Sequence, residues 1–419
     1  MCYGHFTCCG LIGPSVFKLL ASPTVPNLLR SPVLVDTNQL PRYWVTVWST
    51  LTSADAAPAT QSKKLRGIEN LYQHVDTLYG CGALDDALGR LDEQRLAAML
   101  ESWFITIRNR PNVTDADETR WQTGLTYVTS IVTWLSSSTI PNKRLHHIEA
   151  RLHRLSHLYR QLHVRRRRQP ASIRSLPANV AQTLYAMLDP ASINNPFSRK
   201  RTRWLTFISF VLMLHQGLRR GELLLLTADT IKSAFDQQQQ RTRYWLNVRE
   251  SPYEETEDDP RYSRPGIKTA HSIRQLPVSE AVATLVQSYV ENYRGKPNHA
   301  FLLNSQKNAP LSTESLTKVF AKISAALPTV VLKELTERTG KTSVTPHDLR
   351  HTCAVVRLNQ LLKQGDSMDE ALQKLRAFFG WSRESLMPVR YARAVFEDRL
   401  SSVWCDMFDE QVEMMRAIP

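Results

Sequence analysis

The stretch VTPHDLRHTCAVV, residues 344–356, sets His347, Arg350 and His351 at the head of an apolar run. Charge is expensive at the start of a buried helix, so these residues need a reason to be there. Capping is one reason: Thr345 and Pro346 suit a helix start, and Asp348 falls in the first turn. Gripping an anion is the other, because His347 and Arg350, at i and i+3, share one helix face. The stretch alone leaves both open. Residues of matching chemistry lie elsewhere: HQGLRRGELLLLT carries Arg219 and Glu222 after Gly217, GIKTAHSIRQLPV carries Lys268, and FFGWSRESLMPVRYARAVF carries Trp381 and Tyr391. Taken singly, each has a plain structural reading as a surface turn, a hairpin lysine or a core aromatic.

The elements that must position these residues are mostly helices. NVAQTLYAMLDP reads as one helix, and Trp204–Leu214 as another, apolar all round and so deeply buried, broken by Gly217. RYWLNVRES and IRQLPV read as two strands on either side of an acidic insertion, SPYEETEDDPRYSRPG, with Lys268 just before the second strand. From Ser312 onward the pattern is helical, ending in the amphipathic tail VFEDRLSSVWCDMFDEQVEMMRA. Upstream, from Pro41 to about Tyr159, helical spacing dominates: Leu65, Ile68, Leu71 and Tyr72 fall on one face before Gly80. DEQRLAAMLESWFITIRNRP and TRWQTGLTYVTSIVTWLSSS repeat the scheme, with Pro111 and a serine cluster as breakers. The expected fold is therefore mainly α, a helical N-terminal domain followed by an α-rich domain with a small antiparallel sheet. The expected divisions are an N-terminal loose arm over 1–35, a helical domain over 36–164, a basic linker over 165–175 and a second domain over 176–419.

A net charge of +14 points to a polyanionic partner, nucleic acid or membrane surface. Most of the excess sits in residues 143–174, where ten Lys or Arg face one acid, Glu149. The run Arg165, Arg166, Arg167 and Arg168 reads as a solvated tether or as a strap laid along phosphates. His153 and His157 lie one turn apart there, but no carboxylate or cysteine completes a metal set. The six cysteines show no CxxC spacing, which speaks against zinc modules and fits a reducing compartment. The N-terminus lacks a basic segment ahead of its apolar residues, so no signal peptide is expected. The longest apolar run, Trp204–Leu214, is too short to span a membrane. A soluble cytoplasmic protein without a membrane partner is expected.

The order of the pieces is more specific than any one of them. Arg-x-x-Glu after a buried helix, Lys before a strand, His-x-x-Arg, then Gly-Trp followed by Arg-Tyr resembles the tyrosine recombinase, or phage integrase, family. The resemblance runs from about Leu176 to about Val395 and is carried by GLRRGELL, PHDLRHT and RYA. The helical region and basic linker ahead of it look like the family's core DNA-binding domain. A protein nucleophile that forms a covalent phosphodiester keeps the bond energy for rejoining, and a tyrosine suits because its phenolate also leaves well. The guanidiniums of Arg219 and Arg350 match the non-bridging oxygens of the reacting phosphorus, a charge that phosphoryl transfer elsewhere takes from magnesium. No metal and no other cofactor is expected.

The resemblance further implies Tyr391 as nucleophile, Lys268 as general acid on the leaving 5′ oxygen, and His347 as a group that hydrogen-bonds the phosphate and assists proton movement. Trp381 stands where many members have a second histidine, its indole N–H still a donor. Glu222 anchors Arg219, and His351 is structural. The implied assembly is a two-domain clamp on duplex DNA, monomeric or weakly associated when free and tetrameric on DNA, passing through a Holliday junction. It implies residence in the bacterial cytoplasm or nucleoid. The C-terminal tail would dock on a neighbouring protomer or pack on its own domain. Three departures stand out: ten residues rather than nine separate Trp381 from Tyr391, with Pro388 between them suggesting a bulge or altered loop; the acidic insertion lengthens the hairpin before Lys268; and Trp381 itself lowers dependence on a proton relay. Two other readings use the same residues, a monomeric type IB topoisomerase and a DNA-binding protein that has lost catalysis.

Overall fold

The computed structural model describes residues 16–18, 32–52, 56, 58–138, 150, 154, 175–250, 259, 261, 264–267 and 269–392. Lys268, the Arg165–Arg168 run and the tail beyond 392 lie outside them. The chain forms two compact units, Met1–Arg168 and Gln169–Pro419.

In the first unit, strands β1 (Val16–Lys18) and β2 (Pro32–Leu34) pair antiparallel within the stretch expected to be a loose arm. The reason is Leu34 and Val35, which are buried. Helices α1 (Tyr43–Thr52), α2 (Pro58–Tyr79), α3 (Ala83–Gly89), α4 (Glu93–Arg108) and α5 (Asp115–Ser138) follow. The expected apolar face of α2 is inside: Leu65, Ile68, Leu71, Tyr72 and Val75 share a core with Trp103 of α4 and Trp121 of α5. Asp92 starts α4 by accepting the Arg95 amide at 3.1 Å, an ordinary N-cap.

The second unit holds α6 (Ala178–Leu188), α7 (Lys200–Gln216) and the short α8 (Arg220–Leu225). Strands β3 (Ile231–Asp236), β4 (Arg241–Val248) and β5 (Arg274–Val278) then form one antiparallel sheet in that order. Helices α9 (Glu280–Asn292), α10 (Thr313–Ala325), α11 (Thr329–Thr339), α12 (Pro346–Lys363) and α13 (Met368–Phe379) complete it. The fold is thus mainly α with a small antiparallel sheet. β4 and β5 pair with Leu246 opposite Leu276, and Leu246, Val248, Leu276 and Val278 turn into the core. The third strand, β3, was not among the expected ones. It pairs Ile231 with Leu246 on the sheet edge, and its residues are half-buried or exposed, so IKSAFD carries no strong apolar alternation.

Helix α7 is central, with Ile208, Leu212 and Met213 sealed off from solvent. It packs against α12 and α9. Gly217 ends it in the left-handed conformation, φ 57°. A Cβ there would sit 2.3 Å from the Phe379 ring, so glycine is required for both backbone and space. No single described helix is long and apolar enough to cross a membrane.

Candidate active site

The site grows from the turn after α7. Gly217 redirects the chain, Arg219 becomes the residue ahead of α8, and Glu222 enters the first turn of that helix. The Glu222 carboxylate accepts the Arg219 amide at 2.9 Å and its guanidinium at 2.5 Å. Arg219 also donates to Ser272 Oγ at 2.9 Å. Gly221 lies against the carbonyl of Gly266, 2.8 Å from where a Cβ would stand, so only glycine admits this approach. The segment that carries Lys268 therefore has Gly266 on α8 and Thr269, which meets Ser272 Oγ at 3.0 Å, beside Arg219.

Glu222 gathers more than Arg219. Arg274, at the start of β5, reaches its two carboxylate oxygens at 3.3 and 3.0 Å and donates to the Phe378 carbonyl at 2.7 Å. Arg350 of α12 lies 3.7 Å from the same carboxylate. It donates to the Phe379 carbonyl at 2.8 Å and to the carbonyl of Gly217. Arg219, Arg274 and Arg350 thus surround one carboxylate that is 1% exposed. Burial alone would raise the Glu222 carboxyl, but the hydrogen bonds and charge of Arg274, with the charges of Arg350 and Arg219, hold it below the usual range. Burial and the Arg219 charge lower Arg350 to about 9, against the pull of Glu222, so it stays a cation at neutral pH. Among the described residues, three guanidiniums around one carboxylate leave a net of two positive charges, and Arg219, one of the three, has a side chain 22% exposed. Such an arrangement attracts an anion, and a planar fork suits phosphate oxygens.

The head of α12 carries the capping that its sequence suggested. Thr345 and Asp348 cap it, the Asp348 carboxylate accepting the Thr345 amide at 2.9 Å and hydroxyl at 2.7 Å while also binding Lys341. On the same helix His347 is exposed, whereas Arg350 and His351 are buried. His351, expected to be structural, accepts or donates at Nδ1 to the Tyr391 hydroxyl across 2.6 Å. Its ring also meets His347, edge to face, with centroids 4.2 Å apart.

Tyr391 sits in the helical segment 387–392, with 4% of its surface exposed. Its ring stacks on Trp381 at 5.4 Å and 14°, and Trp381 stacks on Phe379 at 4.7 Å and 11°. Arg350 lies over both the Phe379 and Trp381 rings, 4.8 and 5.6 Å from their centroids. This aromatic column joins Tyr391 to the arginine cluster. Trp381 therefore offers its ring face, a contact the sequence reading did not foresee. The ten-residue spacing resolves as a loop followed by a helical turn, with Pro388 in that turn's first residues, where its missing N–H is unneeded. Arg219, Glu222, Arg350, Trp381 and Tyr391 thus lie in one connected cluster, with His347 exposed beside His351. Lys268 and Arg165–Arg168 fall outside the described residues. Sequence reasoning passed over Arg274 and Ser272, which sit among ordinary strand and turn residues. It also passed over the contact of His351 with Tyr391, for which the position next to Arg350 was the available signal.

Residues 174–397, just over half of the chain, match the Phage integrase family. Among solved structures, the chain is similar to the XerH site-specific recombinase bound to palindromic difH substrate in a post-cleavage complex. The identity is 13%, 87% of this chain and 85% of that one are covered, and the TM-score is 0.50. For the XerH pre-cleavage complex on difH the figures are 13%, 88%, 86% and 0.48. For the XerA recombinase they are 13%, 88%, 98% and 0.33. At such identity the first likeness shows a shared fold. No curated protein matches the sequence.

Proposed function

Since the chain belongs to the phage integrase family, the tyrosine recombinases that cleave and rejoin DNA, we propose that it is an active site-specific recombinase with Tyr391 as nucleophile. In this reading the Tyr391 hydroxyl attacks a backbone phosphorus, the bond to the 5′ oxygen breaks, and a 3′-phosphotyrosyl ester forms. Arg219 and Arg350 hold the non-bridging oxygens as charge builds on them. Lys268 protonates the departing 5′ oxygen, and His347 donates to the phosphate. Trp381 supports the tyrosine ring and can offer its indole N–H. Glu222 and Arg274 fix the guanidinium planes. A 5′ hydroxyl from a partner strand then attacks the ester, and two such exchanges pass through a Holliday junction. The ester retains the energy of the broken bond, so rejoining needs no external supply.

The observation that carries this reading is the two-charge excess of arginine around Glu222, linked by stacked rings to Tyr391. The remainder of the proposal is a tetramer on duplex DNA, the Arg165–Arg168 run laid on phosphates, the tail beyond 392 docked on a neighbouring protomer, and residence in the bacterial cytoplasm or nucleoid. The test is covalent trapping on a pool of nicked duplexes with randomised cores. Wild-type protein should accumulate a 3′-linked adduct on Tyr391, and Tyr391→Phe should bind DNA equally and trap none. A 5′-linked or serine-linked adduct would overturn the assignment. Relaxation of arbitrary plasmids without exchanged products would favour a topoisomerase, and equal failure of both proteins to trap DNA a binding-only role.

A further inference from the structure

Arg350 and His351 are consecutive residues of α12, and their side chains divide the labour of the cluster. Arg350 turns to the carbonyls of Gly217 and Phe379 and to Glu222. His351 turns to the Tyr391 hydroxyl, 2.6 Å from Nδ1. We propose that His351 accepts the phenolic proton as Tyr391 attacks, acting as the general base of cleavage and returning that proton on rejoining. This rests on the recombinase reading above and names a group for a step that reading leaves without one.

The geometry carries it in three ways. The hydroxyl is the reacting atom, and the contact is within the range in which a general base must stand. Both residues are buried, 4% exposed each, so water does not compete for the proton. The tyrosine ring is held by stacking on Trp381 while its hydroxyl meets the imidazole. In the step, the phenolic O–H proton passes to Nδ1 and gives an imidazolium. The oxygen pair of Tyr391 forms the new bond to phosphorus, and the bond to the 5′ oxygen breaks, its electron pair leaving with that oxygen. On rejoining the imidazolium proton goes back to the released phenolate. Among the described residues, His347, edge to face on its own helix, and Tyr391 from the 387–392 segment face His351. The Arg350 guanidinium bonds the carbonyls of Gly217 and Phe379, but its charge also acts on Tyr391, and Trp381, stacked on Tyr391, does not titrate.

The test isolates the nucleophile by using nicked duplexes, enriched from the randomised pool by wild-type trapping, with a sulfur in the bridging 5′ position. A thiolate leaves without protonation, so the acid limb of the trapping rate reports the base alone. Wild type should lose rate on the acid side, as the imidazole takes up a proton and can no longer accept one. His351→Asn keeps an acceptor near the Nδ1 position but cannot titrate there. It should trap about 10²-fold more slowly, with the acid limb gone and DNA affinity unchanged, while His347→Asn keeps the limb. Because Tyr391→Phe removes only one oxygen, it supplies a second measurement: the His351 ring signals should titrate at a different pH once the hydroxyl is lost. An unchanged limb in His351→Asn, a limb lost in His347→Asn instead, or identical His351 titration in Tyr391→Phe would each refute the assignment. Those results with normal wild-type trapping sink this inference alone; no wild-type adduct at all sinks the recombinase reading as well.

Discussion

Replacing Glu222 by Gln tests whether the site is an electrostatic unit. The change keeps the shape of the side chain and removes the one negative charge among Arg219, Arg274 and Arg350. At 3.7 Å from Arg350, that charge is worth about 4 kcal/mol with an effective dielectric of about 20. Removing one partner of a buried pair typically costs about 3–5 kcal/mol, so the two routes agree. Each kcal/mol moves the midpoint of a domain this size by roughly 2–4 °C, and Glu222→Gln should therefore lower it by about 8–16 °C in thermal unfolding at pH 7. The pH profile adds a signature. The Glu222 carboxyl is depressed in the fold, so its stabilisation is present above the unfolded value, about 4.3, and fades as pH falls through the lower folded value. The gap between wild type and Glu222→Gln should accordingly close on acidification. A midpoint within 2 °C of wild type at pH 7, or a gap that stays constant down to pH 3, would refute the coupling.

Other outcomes follow from single contacts. Gly217→Ala should lose about 2–4 kcal/mol in denaturant titration, because a Cβ meets Phe379 at 2.3 Å and φ is 57°. If Arg350 holds the phosphate as proposed, Arg350→Met should lose the stabilisation that a bound oligonucleotide gives wild type, measured as the rise in melting midpoint on adding DNA. Arg261→Met should destabilise by about 3 kcal/mol in denaturant titration, since Asp259 would keep its charge while losing bonds of 2.6–2.9 Å. Changing Arg165–Arg168 together to Ala should flatten the slope of log affinity against log salt by about 3–4 in filter binding.

The sequence by itself determined the residue types of the site and the class of fold. The helices announced themselves through apolar spacing, as in α2, because a stripe repeating every 3.6 residues lines up along one side of a helix and scatters over both faces of a strand. Arg219, Glu222, Arg350 and Tyr391 were legible because their order along the chain resembles a known family. The edge strand β3 was not, since an exposed edge needs no apolar alternation. Nor were Arg274 and the ring stack of Phe379, Trp381 and Tyr391. Arginines and aromatics on turns and strands are common, and only folding decides which of them share a carboxylate or a ring face. His351 makes the distinction sharpest. Its place beside Arg350 is written in the chain, but which way the imidazole turns, and that a hydroxyl forty residues on meets it, depends on how α12 packs against the segment that follows α13.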